Sequence, residues 1–178
     1  MAEPQAPEPD DKDWTWTLVR PCSECGFDTA AIEPVAIPAL VRDATSQWPD
    51  VLARPDATIR PAPTTWSPLE YACHVRDVHR IFRERLDLML AEDDPAFANW
   101  DQDATALAER YWEQDPAVVA TEVTQTGEAL ADAYSRVGDD QWNRTGVRSN
   151  GSTFTVESLG RYLLHDLYHH MWDVRSEA

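Results

Sequence analysis

The chain has 178 residues, 43% of them apolar, enough for one domain with a sizeable core. Its 32 acidic residues face only 15 basic ones, a formal net charge of -17. That balance excludes nucleic acid as a partner and opposes an anionic membrane surface, because both need clustered Lys and Arg.

No run approaches the roughly 20 apolar residues of a membrane span. The first residues, from Ala2 to Asp10, carry neither the basic start nor the apolar stretch of an export signal. The expectation is a cytoplasmic protein with a small-molecule partner. Three cysteines, Cys22, Cys25 and Cys73, argue against a disulfide framework in such a chain. Most of the eight tryptophans are expected to pack on helix faces or line a cleft.

Residues 1–27 read as an arm, and residues 28–178 as a single domain. The arm is Pro-rich and acidic up to about residue 13, a composition that favours disorder. Trp14 to Arg20 alternates for a few residues and reads as a short strand or an extended segment on the body. Cys22-Ser23-Glu24-Cys25-Gly26 makes a tight turn that looks like half a zinc knuckle. A closed zinc site needs four ligands, and the only other cysteine is Cys73, so the turn reads first as structural, with redox and metal roles as alternatives.

Asp28 is a candidate helix cap, and a first long helix is expected from about Pro38 to Trp48, with Pro49 ending or kinking it. Ser67-Pro68-Leu69-Glu70 is a capping box with Pro at the first helical position. The helix it opens runs to about Ala91. On that helix His74 shares an inward stripe with Val78, Ile81, Phe82, Leu88 and Met89, whereas His79 is turned well away. Arg85 falls on the same stripe and needs a partner. After a loop and a short helix, Asp115 caps a third long helix from Pro116 to about Val137. Asn143 to Phe154 reads as a loop or small hairpin, and a last helix runs from about Thr155 to Asp173 or Arg175. Four helices with inward stripes predict an all-α fold, an antiparallel four-helix bundle with an extended N-terminal arm.

All five histidines lie on two of these helices. His165 and His169 are four residues apart, which puts both rings on one helix face, one turn apart. With the inward His74 they form a candidate metal triad. Three neutral imidazoles would leave a divalent ion its full charge and an open position, as in catalytic rather than structural zinc sites. Zinc is the first choice, and nickel, iron or manganese would accept the same ligands. Ligating histidines usually donate their second N–H to a carboxylate, which makes Glu70, Asp77 and Asp166 supporting candidates. His170 is turned away from His169 and reads as a partner or surface group. Arg76 and Arg161 could hold substrate carboxylates, although surface ion pairs are the simpler reading.

Trp66-Ser67-Pro68-Leu69-Glu70, then His74 and Asp77, then His165 and His169 some 90 residues on, resembles the DinB-like superfamily, which includes mycothiol-dependent maleylpyruvate isomerases. The resemblance covers roughly residues 36 to 175. It implies a four-helix bundle, often a homodimer, with a divalent metal on three histidines, matched here by His74, His165 and His169. It also implies an S-transferase or isomerase reaction using a small thiol such as mycothiol or bacillithiol. Two alternatives stand beside that reading: a thiol-independent metal hydrolase, and a non-catalytic metal-binding or dimerising bundle.

Overall fold

The structure is a computed structural model and describes residue 5 and residues 13–176; the acidic stretch expected to be disordered lies almost wholly outside the described residues. Six α-helices and three short strands are described: α1 (Ile37–Thr45), α2 (Trp48–Leu52), α3 (Pro68–Ala91), β1 (Ala96–Phe97), α4 (Gln102–Ala108), α5 (Pro116–Tyr134), β2 (Thr145–Arg148), β3 (Thr153–Thr155) and α6 (Val156–Ser176). None of the described helices is long and apolar enough to cross a membrane.

The start signals act as their chemistry requires. Ser67 Oγ accepts from the Glu70 amide at 3.3 Å while Glu70 Oε2 accepts from the Ser67 amide at 2.9 Å, so both halves of the capping box form. Asp115 accepts from the amides of Ala117 and Val118 at the head of α5. Thr155 Oγ1 accepts from the Ser158 amide and closes the first turn of α6.

Two local expectations change. Pro49 sits in the first turn of α2, where its missing N–H costs nothing, so it begins a new helix rather than ending the old one. Trp14–Leu18 is a short 3-10 helix instead of a strand: Asp13 accepts from the Thr15 amide at its head, and Thr17 Oγ1 donates back to the Trp14 carbonyl. Its buried Thr17, its tryptophan faces and Leu18 tie it to the body, with the Thr29 hydroxyl donating to the Thr17 carbonyl, and no strand of the described residues pairs with it.

The bundle is formed by α1, α3, α5 and α6. Helix α1 packs on α5 and α6, and α3 packs on the same two, most extensively on α5. Close approach is possible because two positions lack a Cβ. One built on Gly127 of α5 would stand 2.4 Å from Thr45 Oγ1 of α1, and one on Gly160 of α6 would stand 2.7 Å from Ile37 Cδ1. Ile37, Val41, Leu69, Val78, Leu130 and Leu163, contributed by all four helices, are fully or almost fully buried. At about 25 cal/mol per Å² of apolar surface, this shared core is the main favourable term holding the helices together.

The fold is not purely helical, because a small sheet of order β1-β2-β3 closes one end. Strand β1 pairs parallel to β2, with Phe97 opposite Arg148, and β2 pairs antiparallel to β3, with Gly146 opposite Phe154. A Cβ at Gly146 would meet Met89 Cγ at 2.8 Å and Phe97 Cε1 at 2.9 Å, so the strand passes only as glycine. The sheet has a positional consequence. It pins the loop after α3, and just beyond it the Asn99 amide donates to Ser149 Oγ at 2.8 Å. Trp100 is thereby held over α3.

Candidate metal centre

Helix α6 carries two histidine-containing i,i+4 pairs side by side, His165 with His169 and Asp166 with His170. Successive residues are turned by about 100°, so the pairs look out over different neighbours. Among the described residues two groups of ligand-capable atoms converge, each with all its atoms within 4.8 Å of one another: His74, Asp166 and His170, and Cys22, Cys25, His165 and His169.

The first group joins α6 to α3. His74 Nε2 lies 3.6 Å from Asp166 Oδ1, and His170 Nε2 lies 3.7 Å from the same oxygen. These separations are too long for direct hydrogen bonds and close to the roughly 3.4 Å between two ligands that share one tetrahedral ion at about 2.1 Å. His74 is fully buried, and neither of its ring nitrogens has a hydrogen-bond partner among the described residues; the buried Asp166 Oδ1 also has none. Buried polar atoms are nearly always satisfied, so this convergence fits a cation. His170 Nδ1 stands 2.9 Å from Asp173 Oδ2, a carboxylate that makes that nitrogen the N–H donor and turns Nε2 toward Asp166.

Aromatic rings wall the group. Trp100 stacks on His74 at 5.3 Å between centroids and 10° between planes, Trp66 tilts against it at 5.4 Å, and Tyr71 lies 5.2 Å from His170. Burial holds His74 below the ordinary imidazole range against the pull of Asp166. Burial would raise Asp166, but the charge of His170 and the contacts with His74 and His165 outweigh it and keep the carboxyl well below the usual carboxylate range. At neutral pH the imidazole is therefore unprotonated and the carboxylate ionised, the forms that a metal requires.

The second group joins α6 to the arm. Cys22 and His165 are buried, and His169 is only 8% exposed. Cys22 Sγ lies 3.8 Å from His169 Nδ1, and the buried His165 Nε2 has no hydrogen-bond partner among the described residues. On its far side, His169 Nε2 faces Glu24 Oε2 at 3.6 Å and Asp173 Oδ1 at 3.8 Å. The Trp14 ring lies 5.4 Å from His165 and 5.2 Å from His169. Burial, then the charge of His169, pushes His165 down to about 4, and burial raises the Cys25 thiol to about 11.

The three histidines expected to form one site are thus divided: His74 stands with Asp166 and His170, while His165 and His169 stand with the cysteine turn. The reason is helical register. His165 and Asp166 cannot face the same neighbour, and it is the Asp166 line that faces α3. Asp166, expected in support, is in the group itself. His170, expected to be a partner or surface group, is there too, and the signal for both was the second i,i+4 spacing.

Glu70 and Asp77 are engaged elsewhere. Glu70 completes the capping box and binds Arg60 at 2.9 and 2.5 Å. Asp77 takes two contacts at 3.0 Å from Arg76, one at 2.8 Å from Arg80, and one at 2.5 Å from the Tyr111 hydroxyl. Arg76 also bonds Gln114 and Glu122, and Arg161 bonds the Ile32 carbonyl and Glu157, so both arginines have structural partners. The inward Arg85 donates to the Ala98 carbonyl and lies over Phe82 and Phe97. His79 is buried with Nδ1 3.1 Å from Thr126 Oγ1. Cys73 is remote from the cysteine turn, 3.5 Å from Gln114 Oε1.

This architecture has counterparts among known proteins. One solved structure, YfiT from Bacillus subtilis, described as a probable metal-dependent hydrolase with an unusual four-helix bundle topology, is similar with a TM-score of 0.66 at 18% identity, over 84% of this chain and 86% of that one. No curated protein matches. The family model of the DinB superfamily matches residues 39–174, which takes in α3, α5, the hairpin and both histidine-bearing helices but not the cysteine turn. With most of its length matched, this four-helix chain belongs to the DinB superfamily.

Proposed function

We propose that the chain is a metal-dependent enzyme acting on a small molecule, with a divalent ion held by His74, Asp166 and His170. The observation that carries this reading is the convergence of three ligand atoms, from two helices, that are not hydrogen-bonded to one another and are separated by 3.6 and 3.7 Å. Two neutral imidazoles and one carboxylate would leave an ion of charge two a net positive charge and room for another ligand, as in catalytic zinc sites built from two histidines and a carboxylate. When bound, the ion would supply Lewis acidity and lower the pKa of a coordinated nucleophile.

The residues of the chain do the rest. Asp173 holds His170 in the tautomer that presents Nε2. Trp66 and Trp100 fix the plane of His74 and keep water from its ring. Zinc is the first choice, and iron, nickel and manganese also accept this donor set. The nucleophile we favour is a low-molecular-weight thiol of the mycothiol type, delivered to an electrophile in a transferase or isomerase reaction. A thiol-independent hydrolase is the second reading, supported by the description of YfiT as a probable hydrolase.

The test is metal reconstitution followed by two assays, an electrophile with and without a small thiol and a panel of esters and amides without thiol. Thiol consumption that requires the ion and is lost in His74→Ala supports the transferase reading. Turnover without thiol, lost in the same variant, supports the hydrolase. Full activity in metal-free protein or in His74→Ala contradicts both.

A further inference from the structure

The cysteine turn and the second face of α6 belong to no part of the site just described. Cys22, Cys25, His165 and His169 bring two sulfurs and two imidazole nitrogens within 4.8 Å of one another, from segments about 140 residues apart in sequence. We infer that these two cysteines and two histidines form a second, closed zinc-type site that staples the arm to α6.

Four arguments carry it. The first is the donor set: two thiolates and two imidazoles are the ligands of structural zinc, and two thiolates neutralise the dication, which suits a group in which Cys22, His165 and His169 are buried and Cys25 is half-buried. The second is spacing. In a tetrahedral set with a metal–sulfur distance of about 2.3 Å and a metal–nitrogen distance of about 2.05 Å, sulfur and nitrogen stand about 3.5 Å apart. Cys22 Sγ and His169 Nδ1 stand at 3.8 Å. The third is the turn itself. The Gly26 amide donates to the Cys22 carbonyl and the Cys22 amide to the Phe27 carbonyl, both at 2.9 Å, and Gly26 takes a φ of +75°. That loop holds both cysteines toward one point, with glycine at the position where a Cβ is strained. The fourth is the outer side: with Nδ1 of His169 toward the sulfur, its Nε2 points at the carboxylates of Glu24 and Asp173, 3.6 and 3.8 Å away, whose charge favours the proton on that nitrogen and leaves Nδ1 for an ion. His165 Nε2, buried and without a hydrogen-bond partner among the described residues, supplies the remaining nitrogen.

Binding would release the two thiol protons to solvent and form two metal–sulfur and two metal–nitrogen bonds, with no redox change. Both cysteines are free thiols in the structure. The site has all four positions filled by protein, so its role is structural: it holds Trp14 against His165 and His169 and closes the arm over that face. This assignment is independent of the enzyme reading, because the two groups share no residue.

The experiment uses cobalt as a spectroscopic stand-in for zinc on the reduced, metal-free full chain. Wild type should develop thiolate-to-cobalt charge-transfer absorption and the intense visible bands of a tetrahedral ion. The same signature should persist in His74→Ala. Cys22→Ser should lose most of it, and Cys25→His, which keeps four ligands, should retain a tetrahedral ion with roughly half the thiolate absorption. The reactivity of Cys22 and Cys25 toward a thiol reagent should fall at least tenfold on adding zinc. Absence of thiolate absorption in reduced wild type would overturn the assignment, as would recovery of the two cysteines as a disulfide from reductant-treated protein, or thiol reactivity indifferent to zinc. If His74→Ala loses activity while the cobalt signature stays, the two sites have been separated.

Discussion

The two faces of α6 use the same spacing to different ends. Toward α3, Asp166 and His170 meet one histidine from a long, well-capped helix, in a pocket walled by tryptophan and tyrosine. Toward the arm, His165 and His169 meet two cysteines from a short stretch whose order depends on a glycine turn and a 3-10 helix. Three ligands with a carboxylate leave an ion open, whereas four with two thiolates close it. A single helix with adjacent i,i+4 pairs can thus serve a reactive centre on one side and a staple on the other. Asp173 stands between them, 2.9 Å from His170 and 3.8 Å from His169.

The strongest way to break this comparison is to remove a ligand on the α3 side. His74→Ala should abolish metal-dependent turnover, a loss of at least about a hundredfold, while the protein stays folded, and steady-state kinetics beside circular dichroism will show whether it does. Asp173→Asn is expected to weaken metal affinity by about 10 to 100-fold on the α3 face, where it hydrogen-bonds His170, and by less on the arm face, where it stands 3.8 Å from His169; competition with a chelator measures both. A shift confined to one face would place Asp173 with that face alone.

Glu70 separates a metal role from a structural one. Glu70→Ala removes the return half of the capping box and leaves Arg60 without its buried carboxylate, so it should cost about 2 to 4 kcal/mol in urea unfolding while metal stoichiometry is unchanged. Loss of metal at unchanged stability would restore it to the site. Gly127→Ala tests the bundle instead: its Cβ would collide with the stiff Thr45 side chain, and overpacking of about 1 to 3 kcal/mol should exceed the gain in helix propensity.

The most gradual effect concerns pH. Burial pushes His79 down to about 4 from 6.5, so the unfolded chain binds its proton first as pH falls. Stability should therefore be full above about 6.5 and decline toward 4, by up to about 3 kcal/mol from this residue. In metal-free protein, denaturant midpoints at several pH values should flatten by about that slope in His79→Gln.

Much of this was legible in the sequence. The capping box at Ser67 and Glu70 set the start of α3, and the inward stripe through His74 placed it in the core, because both depend on contacts within a few residues. The hairpin from Asn143 to Phe154 was legible as an option, but β1 was not: two residues pairing in parallel with a strand about 50 positions later leave no periodic trace. The site was half legible. Histidines at helical spacing announced metal chemistry, but two overlapping i,i+4 pairs fit the same stretch, and only the rotation of α6 against α3 selects between them. Histidine spacing marks Asp166 only as a neighbour of the ligands, and the spacing of Cys22 and Cys25 carries no trace of the histidines they face about 140 residues on.

The most direct test of two centres on two faces is a zinc titration of reduced, metal-free protein followed by native mass spectrometry, on wild type, His74→Ala, His169→Ala and Cys22→Ser. Two ions per chain in wild type and one in each variant, with the thiol-linked ion retained in His74→Ala, is the predicted result. A single ion in wild type, lost in both His74→Ala and His169→Ala, would contradict it and return His74, His165 and His169 to one shared site.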